Sequence, residues 1–207
     1  MKKVFVSAVF GFLLISLLLT GCFFSISSDP DDITDWYTEL PAGTVLTYSL
    51  RAYVNGNTQD YFTFTETVIK TELINGIKCT ELLTQNDEGS STHYILVDTE
   101  EGIIARSFDN VLDSGDDICF MTPVAIGTSW YDSYGTDEYE IKNIDSFSDV
   151  DAGKYYDIIV VEGGTEGGDW YELSHYSKSL NTFVFNRYDM ILGDNTLSDH
   201  VELISVE

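Results

Sequence analysis

Three residue types in this chain could carry chemistry: histidine, cysteine and the carboxylates. The histidines are His93, His175 and His200, and none stands at a spacing typical of a metal site or of a nucleophile with its base. Each lies in a segment of alternating apolar and polar residues, which indicates ordinary strand positions. No hydrolase, metalloprotease or nucleotide-binding motif is present. The sequence therefore predicts a protein that is not an enzyme and that binds no metal and no cofactor.

Carboxylates are the most abundant of these groups, with 35 Asp and Glu residues against 10 Lys and Arg. Segment 109–117 gathers oxygen ligands around Gly115, as a calcium site would, but it lacks the spacing of an EF-hand loop. The group Asp145, Asp149 and Asp151 departs from that spacing too. Glycoside hydrolysis needs two facing carboxylates, and nothing in the sequence selects such a pair. We expect solvated acidic loops.

Two cysteines, Cys79 and Cys119, could form a disulfide in an oxidising compartment. The bridge would close a loop of about 40 residues and stabilise the fold by roughly 4 kcal/mol. In an up-and-down sheet, however, two strands would separate the cysteines by roughly 14 Å, whereas a disulfide needs Cα atoms within about 7 Å. Two alternatives stay open: buried free thiols, or a bridge formed because the segment around Cys119 folds back.

The third cysteine, Cys22, has a different setting. A positive start, Met1-Lys2-Lys3, precedes an apolar run from Val4 to Leu19 that is too short to span a membrane. Small residues, Thr20-Gly21, then stand where a signal peptidase would cut. Together with Cys22 they resemble the bacterial lipobox, which implies cleavage before Cys22 and a diacylglycerol on its thiol. The alternative is an ordinary signal peptide or short membrane anchor with an incidental cysteine.

Removal of residues 1–21 makes the chain still more acidic. Eight Lys and Arg residues then face 35 acidic ones, which gives a formal charge of −27. Such a chain repels nucleic acids and anionic lipid surfaces, so we expect no nucleic-acid partner. Membrane attachment would come from acyl chains on Cys22, because two or more chains anchor firmly. We expect a monomer outside the cytoplasm, on the outer membrane or the outer face of the cell membrane.

A spacer and one domain follow the lipidated cysteine. Residues 23–35 are rich in Ser, Asp and Pro without a sustained period, which is typical of a flexible tether. The 172 residues that remain suit one domain with a substantial core. The predicted organisation is a signal peptide at 1–21, a lipidated cysteine and tether at 22–35, and a β-rich extracytoplasmic domain at 36–207.

Strand patterns run through this domain. Apolar and polar residues alternate from Leu46 to Val54, and turn residues such as Asn55-Gly56 and Asn75-Gly76 separate this run from the next ones. The predicted strands are 46–54, 61–71, 77–84, 92–98, 103–108, 117–121, 128–134, 138–147, 154–162, 168–177, 180–188 and 199–206.

The segments outside these strands are predicted to be turns, apart from one short helix. One short helix is predicted from Ile33 to Leu40, stopped by Pro41, and the Gly-rich segment 163–168 is predicted as a hairpin loop. The sequence thus predicts an all-β fold: a curled antiparallel meander of roughly twelve strands, forming a half-barrel or open barrel.

Two segments echo each other. Pro41 to Tyr48 and Pro123 to Tyr131 both run from a proline through Gly-Thr to a large apolar and an aromatic residue. They are either two strand starts that share turn chemistry or two copies of one structural unit. Their separation of 84 residues is too long for a solenoid repeat. In a duplication, Trp130 and Tyr48 would be equivalent core residues.

The same segments resemble a known kind of bacterial lipoprotein. The carrying features are Trp36-Tyr37 before Pro41-Ala42-Gly43, the stretch Gly127 to Trp130, Val150 to Tyr155, and Trp170-Tyr171 before Lys178. In order and spacing they resemble bacterial lipoproteins with a half-barrel domain of the lipoprotein-carrier-like type. Proline is usual where this chain has Asp151, and glycines where it has Ser179 and Asn181. The resemblance implies a curled sheet with an apolar concave face and no catalytic residues.

Two functions follow as hypotheses. The first is a lipid-anchored, non-enzymatic lipoprotein that binds a lipid or another apolar ligand or serves envelope maintenance. The alternative is a surface domain that binds glycans or proteins, because 13 Tyr and 3 Trp stand among many carboxylates. A closed concavity lined by Leu, Ile and Phe would favour the first, and a row of exposed Tyr and Trp the second.

Overall fold

A computed structural model describes residues 32–113, 117–132 and 135–207. It contains one short 3₁₀ helix, Ile33–Trp36, and β-strands joined mostly by tight turns. The strands are β1 Val45–Val54, β2 Asn57–Ile74, β3 Ile77–Asn86, β4 Gly89–Asp98, β5 Ile103–Ser107, β6 Asp117–Met121, β7 Ser129–Tyr131, β8 Glu138–Val150, β9 Gly153–Gly164, β10 Trp170–Ser177, β11 Thr182–Leu192 and β12 Asn195–Val206. The predicted all-β fold of roughly twelve antiparallel strands is confirmed. Predictions about the signal peptide and Cys22 lie outside the described residues.

All twelve strands belong to one sheet, in the order β6-β5-β4-β3-β2-β1-β12-β11-β10-β9-β8-β7. Strands that are neighbours in sequence pair with each other, except β6 and β7, and the first strand also pairs with the last, from Leu46 beside Val206 to Val54 beside Leu197. The sheet therefore curls into a nearly closed barrel. Its one unsealed seam lies in the middle of the chain, between β6 and β7.

Turn chemistry explains why the chain doubles back so often. Asn55-Gly56 joins β1 to β2, and Asn75-Gly76 joins β2 to β3. All four residues have positive φ, between 50° and 92°. Two-residue hairpins need that conformation because it matches the twist of the strands, and Asn and Gly adopt it most readily.

Side chains fill the barrel with two apolar clusters. The first contains Phe120 and Tyr176, whose rings meet edge-on with centroids 4.8 Å apart. The second contains Leu46 and Tyr48, and the Tyr48 hydroxyl lies 3.1 Å from the hydroxyl of Thr182. These side chains are almost fully buried. The interior is therefore largely a packed core.

The predicted short helix begins at Ile33 as expected, but it ends at Trp36 and not at Leu40. Only the turn Ile33–Trp36 forms, with Asp32 accepting a hydrogen bond from the Thr34 N–H at 2.9 Å. Burial explains the outcome, since Ile33 inserts into the first apolar cluster and holds the chain against the barrel. The Tyr37 hydroxyl then lies 3.0 Å from the hydroxyl of Thr80. Ile33 thus packs with the barrel, ahead of the first strand.

The candidate disulfide is not formed. Cys79 and Cys119 are both buried free thiols on β3 and β6, and β4 and β5 separate these strands as the meander requires. The Cys79 sulfur lies 3.6 Å from the carbonyl oxygen of Ile77 and 3.9 Å from that of Asn110. The segment around Cys119 does not fold back toward β3.

The two echoing segments begin two halves of the barrel, β1 to β6 and β7 to β12. Before β1, the Gly43 N–H donates to the Val68 carbonyl at 2.7 Å, and the Val68 N–H donates to the Thr44 carbonyl at 2.9 Å. The φ angle of Gly43 is +90°, which favours glycine.

The same turn recurs before β7. The Gly127 N–H donates to the Ile141 carbonyl, and the Ile141 N–H donates to the Thr128 carbonyl, both at 2.9 Å. The φ angle of Gly127 is +92°. The Gly-Thr pairs of the two turns lie 84 positions apart and make the same hydrogen bonds, which supports a structural duplication. In this alignment Trp130 is equivalent to Leu46, so its predicted equivalence to Tyr48 is wrong.

Candidate binding site at the seam

A cavity of about 190 Å³ opens between the two edge strands of the seam. Ile118 and Cys119 of β6 form one side, and Trp130 of β7 forms the other. The other residues that line the cavity are Arg106, Asp117, Asp132, Tyr139, Val161, Glu172, Ser174 and Phe183. Aromatic faces and carboxylates thus share one small space.

Aromatic rings form one wall of the cavity. Trp130 and Tyr139 are cross-strand neighbours on β7 and β8, with rings nearly parallel at 12° and centroids 6.1 Å apart. Trp170 continues the row, 5.8 Å from Tyr139. Gly163 lies opposite, and a Cβ there would come within 2.6 Å of the Tyr139 ring. This glycine is needed so that the rings can lie over the strand.

The Gly-rich segment is otherwise the hairpin that the sequence predicts. Gly163 and Gly164 still belong to β9, and residues 165–169 link it to β10. Tyr171 pairs with Gly164 as the ladder resumes.

Glu172 is held in place by three donors. Its carboxylate accepts hydrogen bonds from the Asn186 amide at 2.7 Å, the Tyr139 hydroxyl at 3.1 Å and the Ser174 hydroxyl at 3.2 Å. Burial and then the Glu172 charge raise the pKa of Tyr139, so its hydroxyl stays protonated and can donate. The carboxylate therefore presents a fixed negative charge to the cavity.

Arg106 is the one cation among the residues that line this cavity, and it is already paired. Its guanidinium donates to Glu66, which is only 3% exposed. Burial works against the charged form of Arg106, but Glu66 outweighs it and the pKa of Arg106 is raised. Because Glu66 neutralises it, Arg106 does not offset the charges of the Glu172 and Asp132 carboxylates in the cavity.

Sequence reasoning missed this ion pair, although a signal was present. Glu66 stands in phase with Phe64 and Val68, which point into the barrel along β2. A charged residue in the apolar phase of a strand requires a buried partner. Arg106 stands in phase with Ile104 in the same way.

Two further carboxylates lie at the rim. Asp117 pairs across the ladder with Arg106. Asp132 accepts hydrogen bonds from the backbone N–H groups of Thr136 at 2.7 Å and Asp137 at 3.1 Å. Burial pushes the pKa of Asp132 upward, but these donors outweigh it and the pKa lies below its usual value. The rim is negatively charged at neutral pH.

One polar atom of the cavity wall has no hydrogen-bond partner among the described residues. Trp130 is 6% exposed, and its indole Nε1–H is buried without an acceptor among the described residues. Buried donors are nearly always hydrogen-bonded in folded proteins. A ligand that brought an oxygen acceptor into the cavity would satisfy it.

The thiol of Cys119 gives this cavity no nucleophile. Burial raises the pKa of Cys119 to about 12. The reactive species of a cysteine is the thiolate, and a thiol with such a pKa is almost wholly protonated at neutral pH.

The histidines lie on β4, β10 and β12, and each contacts a serine; His175 and His200 also both lie beside the Phe185 ring, at 5.4 and 6.2 Å between centroids. The ring–hydroxyl distances are 2.8 Å for His93 with Ser91, 3.2 Å for His175 with Ser148, and 3.0 Å for His200 with Ser198. Ser198 also donates to Asp189. Burial lowers the pKa of all three histidines.

No metal cluster or membrane-spanning helix appears in the part of the chain that the structure describes. No group of three or more His, Cys, Asp or Glu side chains there could hold a metal ion. In the acidic loop after β5, Asp109 accepts from the Val111 N–H at 2.9 Å, while residues 114–116 lie outside the described ranges. None of the described helices is both long and apolar enough to cross a membrane.

Comparison with known proteins locates the fold. No family model and no curated protein matches the chain. A Bacteroides fragilis NCTC 9343 protein, whose name describes it as exported with a YmcC-like fold, superposes with a TM-score of 0.51 and 11% identity, over 83% of this chain and 98% of that one. A Parabacteroides distasonis ATCC 8503 protein named as a lipoprotein gives 0.45 and 14%, over 83% and 98%.

A third solved structure, the Pseudomonas aeruginosa MucA/MucB complex, gives a TM-score of 0.36 and 12% identity, over 86% of this chain and 56% of that one. The likeness to the Bacteroides fragilis protein shows that this chain has the YmcC-like fold. The finer, carrier-like type that the sequence suggests stays a prediction.

Proposed function

We propose that this chain is a lipid-anchored, non-enzymatic lipoprotein of the cell envelope that binds a cationic group in the seam cavity. One observation carries the proposal: a small cavity combines the stacked rings of Trp130 and Tyr139 with the carboxylates of Glu172 and Asp132. An ammonium or guanidinium group is stabilised by both, through cation–π attraction and charge. The exported location named for the Bacteroides fragilis neighbour agrees with an envelope protein.

A lipid ligand fits this cavity less well. Drug-sized ligands occupy pockets of about 300–1,000 Å³ lined mostly by apolar groups. The seam cavity has about 190 Å³, and Glu172, Asp132 and Arg106 are among its walls. Packed side chains occupy much of the remaining interior. The geometry thus favours the protein- or glycan-binding alternative over an apolar ligand.

Anchoring is tested by Cys22→Ala in the native host. The variant should lose its lipid and leave the detergent phase when membranes are partitioned. Cys79→Ala is the matched control, because it removes a thiol without touching the lipobox, and it should stay with the membranes. Normal membrane retention of Cys22→Ala would contradict the lipoprotein assignment.

Binding is tested by calorimetric titration of the lipoprotein in detergent with acetyl-lysine amide and acetyl-arginine amide. Glu172→Gln removes one cavity charge and should weaken binding several-fold, whereas Glu88→Gln, in the exposed β3–β4 turn, should not. Native mass spectrometry of the same sample provides the opposing outcome. A co-purified lipid together with no response to either amide would favour the apolar ligand instead.

A further inference from the structure

One edge of β7 carries backbone groups that no strand satisfies. The Asp132 N–H donates to the Asp137 carbonyl at 2.8 Å, and the Ile141 N–H donates to the Thr128 carbonyl at 2.9 Å. In an antiparallel ladder, residues alternate between hydrogen-bonded and non-hydrogen-bonded pairs. Thr128, Trp130 and Asp132 therefore direct their polar backbone groups toward β8. Ser129 and Tyr131 direct theirs toward the seam.

The equivalent position in the first half of the barrel is paired. Val45, which corresponds to Ser129, exchanges two hydrogen bonds with Glu207, each 2.9 Å long. Within the described residues, no strand lies beside Ser129 in this way. The strand that would have to supply one, β6, ends at Met121, and Pro123 follows with no N–H to donate.

A strand added at this edge would meet the cavity. Its residue opposite Trp130 would point inward, as Trp130 does, toward the aromatic and acidic walls. The outward side adds the carboxylate of Glu138, beside Tyr131, whereas Glu140, beside Ser129, is paired with Lys142 at 2.6 Å. The mature chain carries −27 in formal charge. Charge complementarity thus selects a basic peptide, and a glycan would not supply N–H and C=O groups at strand spacing.

We propose that an extended basic segment of a partner protein adds to β7 as an edge strand, paired with Ser129 and Tyr131, and places a Lys or Arg side chain in the seam cavity. This mode of recognition draws affinity from main-chain hydrogen bonds and specificity from a pocket for alternate side chains. This inference rests on the proposed function, because the Lys or Arg side chain of the peptide would be the cationic group that binds in the cavity.

The test uses the full lipoprotein in detergent and an acetylated, amidated heptapeptide, Ser-Val-Thr-Lys-Thr-Val-Ser. With Lys opposite Trp130, the two flanking Thr residues lie opposite Ser129 and Tyr131. The peptide should bind at least tenfold more tightly than acetyl-lysine amide. N-methylation of both Thr residues should reduce its affinity to that of the amide, and replacing Lys by Glu should abolish binding.

Protein variants provide the reciprocal test. Ser129→Pro removes the seam-facing N–H on an edge strand, where proline is tolerated, and Ser129→Ala keeps it. The first should lose the tenfold gain, and the second should retain it. If Ser129→Pro does not fold, as judged by circular dichroism, the N-methylated peptide on the unaltered protein decides.

The outcomes separate the two proposals. A peptide that binds no more tightly than acetyl-lysine amide, or equally well when N-methylated, overturns strand addition and leaves cation binding intact. No response to either the peptide or the amide overturns both. Binding of neutral chitotriose in place of the peptide overturns both in favour of a glycan.

Discussion

The two halves of the barrel begin with the same turn, yet their first strands have different surroundings. β1 runs for 10 residues and is paired on both sides, with β2 and β12. β7 runs for 3 residues and, among the described strands, is paired only with β8. The difference lies in the neighbour: β12 has 12 residues, whereas β6 has 5 and precedes Pro123. The two halves of the barrel are thus joined by strand pairing at β1 and β12 and remain unpaired at β6 and β7.

Side chains at equivalent positions of the two halves also differ in their surroundings. Leu46 pairs with Glu66 in the first half, and Trp130 pairs with Tyr139 in the second. Leu46 is 1% exposed and lies in the core, whereas Trp130 also forms a wall of the seam cavity. Leu46 thus contributes only to the core, whereas Trp130 contributes to the core and to the candidate binding cavity. The predictions below test this difference.

The largest effect is expected for Trp130→Ala, at about 3–5 kcal/mol of unfolding free energy in urea, since a buried aromatic leaves a cavity. Leu46→Ala should cost about 2–5 kcal/mol for the same reason. Only Trp130→Ala should also abolish the response to acetyl-lysine amide. If both variants lost binding alike, or Trp130→Ala cost less than Leu46→Ala and kept binding, the division of roles would be wrong.

Arg106→Met should cost about 3 kcal/mol, the low end for breaking a buried pair, because the Arg106 side chain is 23% exposed and the Glu66 side chain only 4%. The loss comes mainly from the unpaired Glu66 carboxylate. Changing both residues to Met should recover most of it. Asp149→Asn, which breaks the exposed pair with Lys154, is the control and should have a far smaller effect. A double variant as unstable as Arg106→Met would refute this reading.

Gly163→Ala should cost about 1–3 kcal/mol, because its Cβ would overlap the Tyr139 ring at 2.6 Å and the Trp170 ring at 2.9 Å. The test is the same substitution in a background with both rings changed to Ala, where its cost should nearly vanish. An equal cost in both backgrounds would show that the aromatic row does not depend on this glycine.

The smallest effect is expected for the histidines. Changing His93, His175 and His200 together to Gln should cost roughly 1–2 kcal/mol in total, well below Trp130→Ala. Burial lowers the pKa of His175 in the folded protein, so the unfolded chain binds protons more readily. His175 therefore does not lower the free energy of unfolding above the unfolded pKa of about 6.5. The domain loses stability as the pH falls below that value, because the unfolded chain takes up the proton first.

The matched comparison is the difference in unfolding free energy between pH 7 and pH 5. The wild type should lose more stability over this interval than the triple variant, because only the wild type carries the histidines. The carboxylates are the same in both proteins, so their contribution cancels in the comparison. A triple variant that lost more stability than Trp130→Ala, or lost a bound metal, would point to a site that the described structure does not reveal.

Alternation and turn residues were enough to predict the fold class and roughly twelve strands, because each hairpin is a local event. Two-residue turns at Asn55-Gly56 and Asn75-Gly76 fix the pairing of their strands. The closure of β1 on β12 was not predictable in this way, since no local signal links Leu46 to Val206. The helix at Ile33 is shorter than predicted because core burial outweighed a weak local preference.

The site was predictable only in part. The echo around Gly127 to Trp130 pointed to a buried aromatic, and Trp130 is buried as expected. The cavity itself depends on Glu172, Arg106 and Asp132, which come from β10, β5 and the residue after β7. Such residues meet only once the barrel has curled, and no spacing in the sequence records their proximity.

The unpaired edge of β7 is tested most directly by hydrogen exchange of single backbone amides in the ligand-free lipoprotein. The amides of Val45 and Thr47, which face β12, should exchange slowly, and those of Ser129 and Tyr131, which face the seam, should exchange much faster. Addition of the heptapeptide should slow Ser129 and Tyr131 and leave Val45 unchanged. Equal protection of Val45 and Ser129 in the free protein would contradict the open seam.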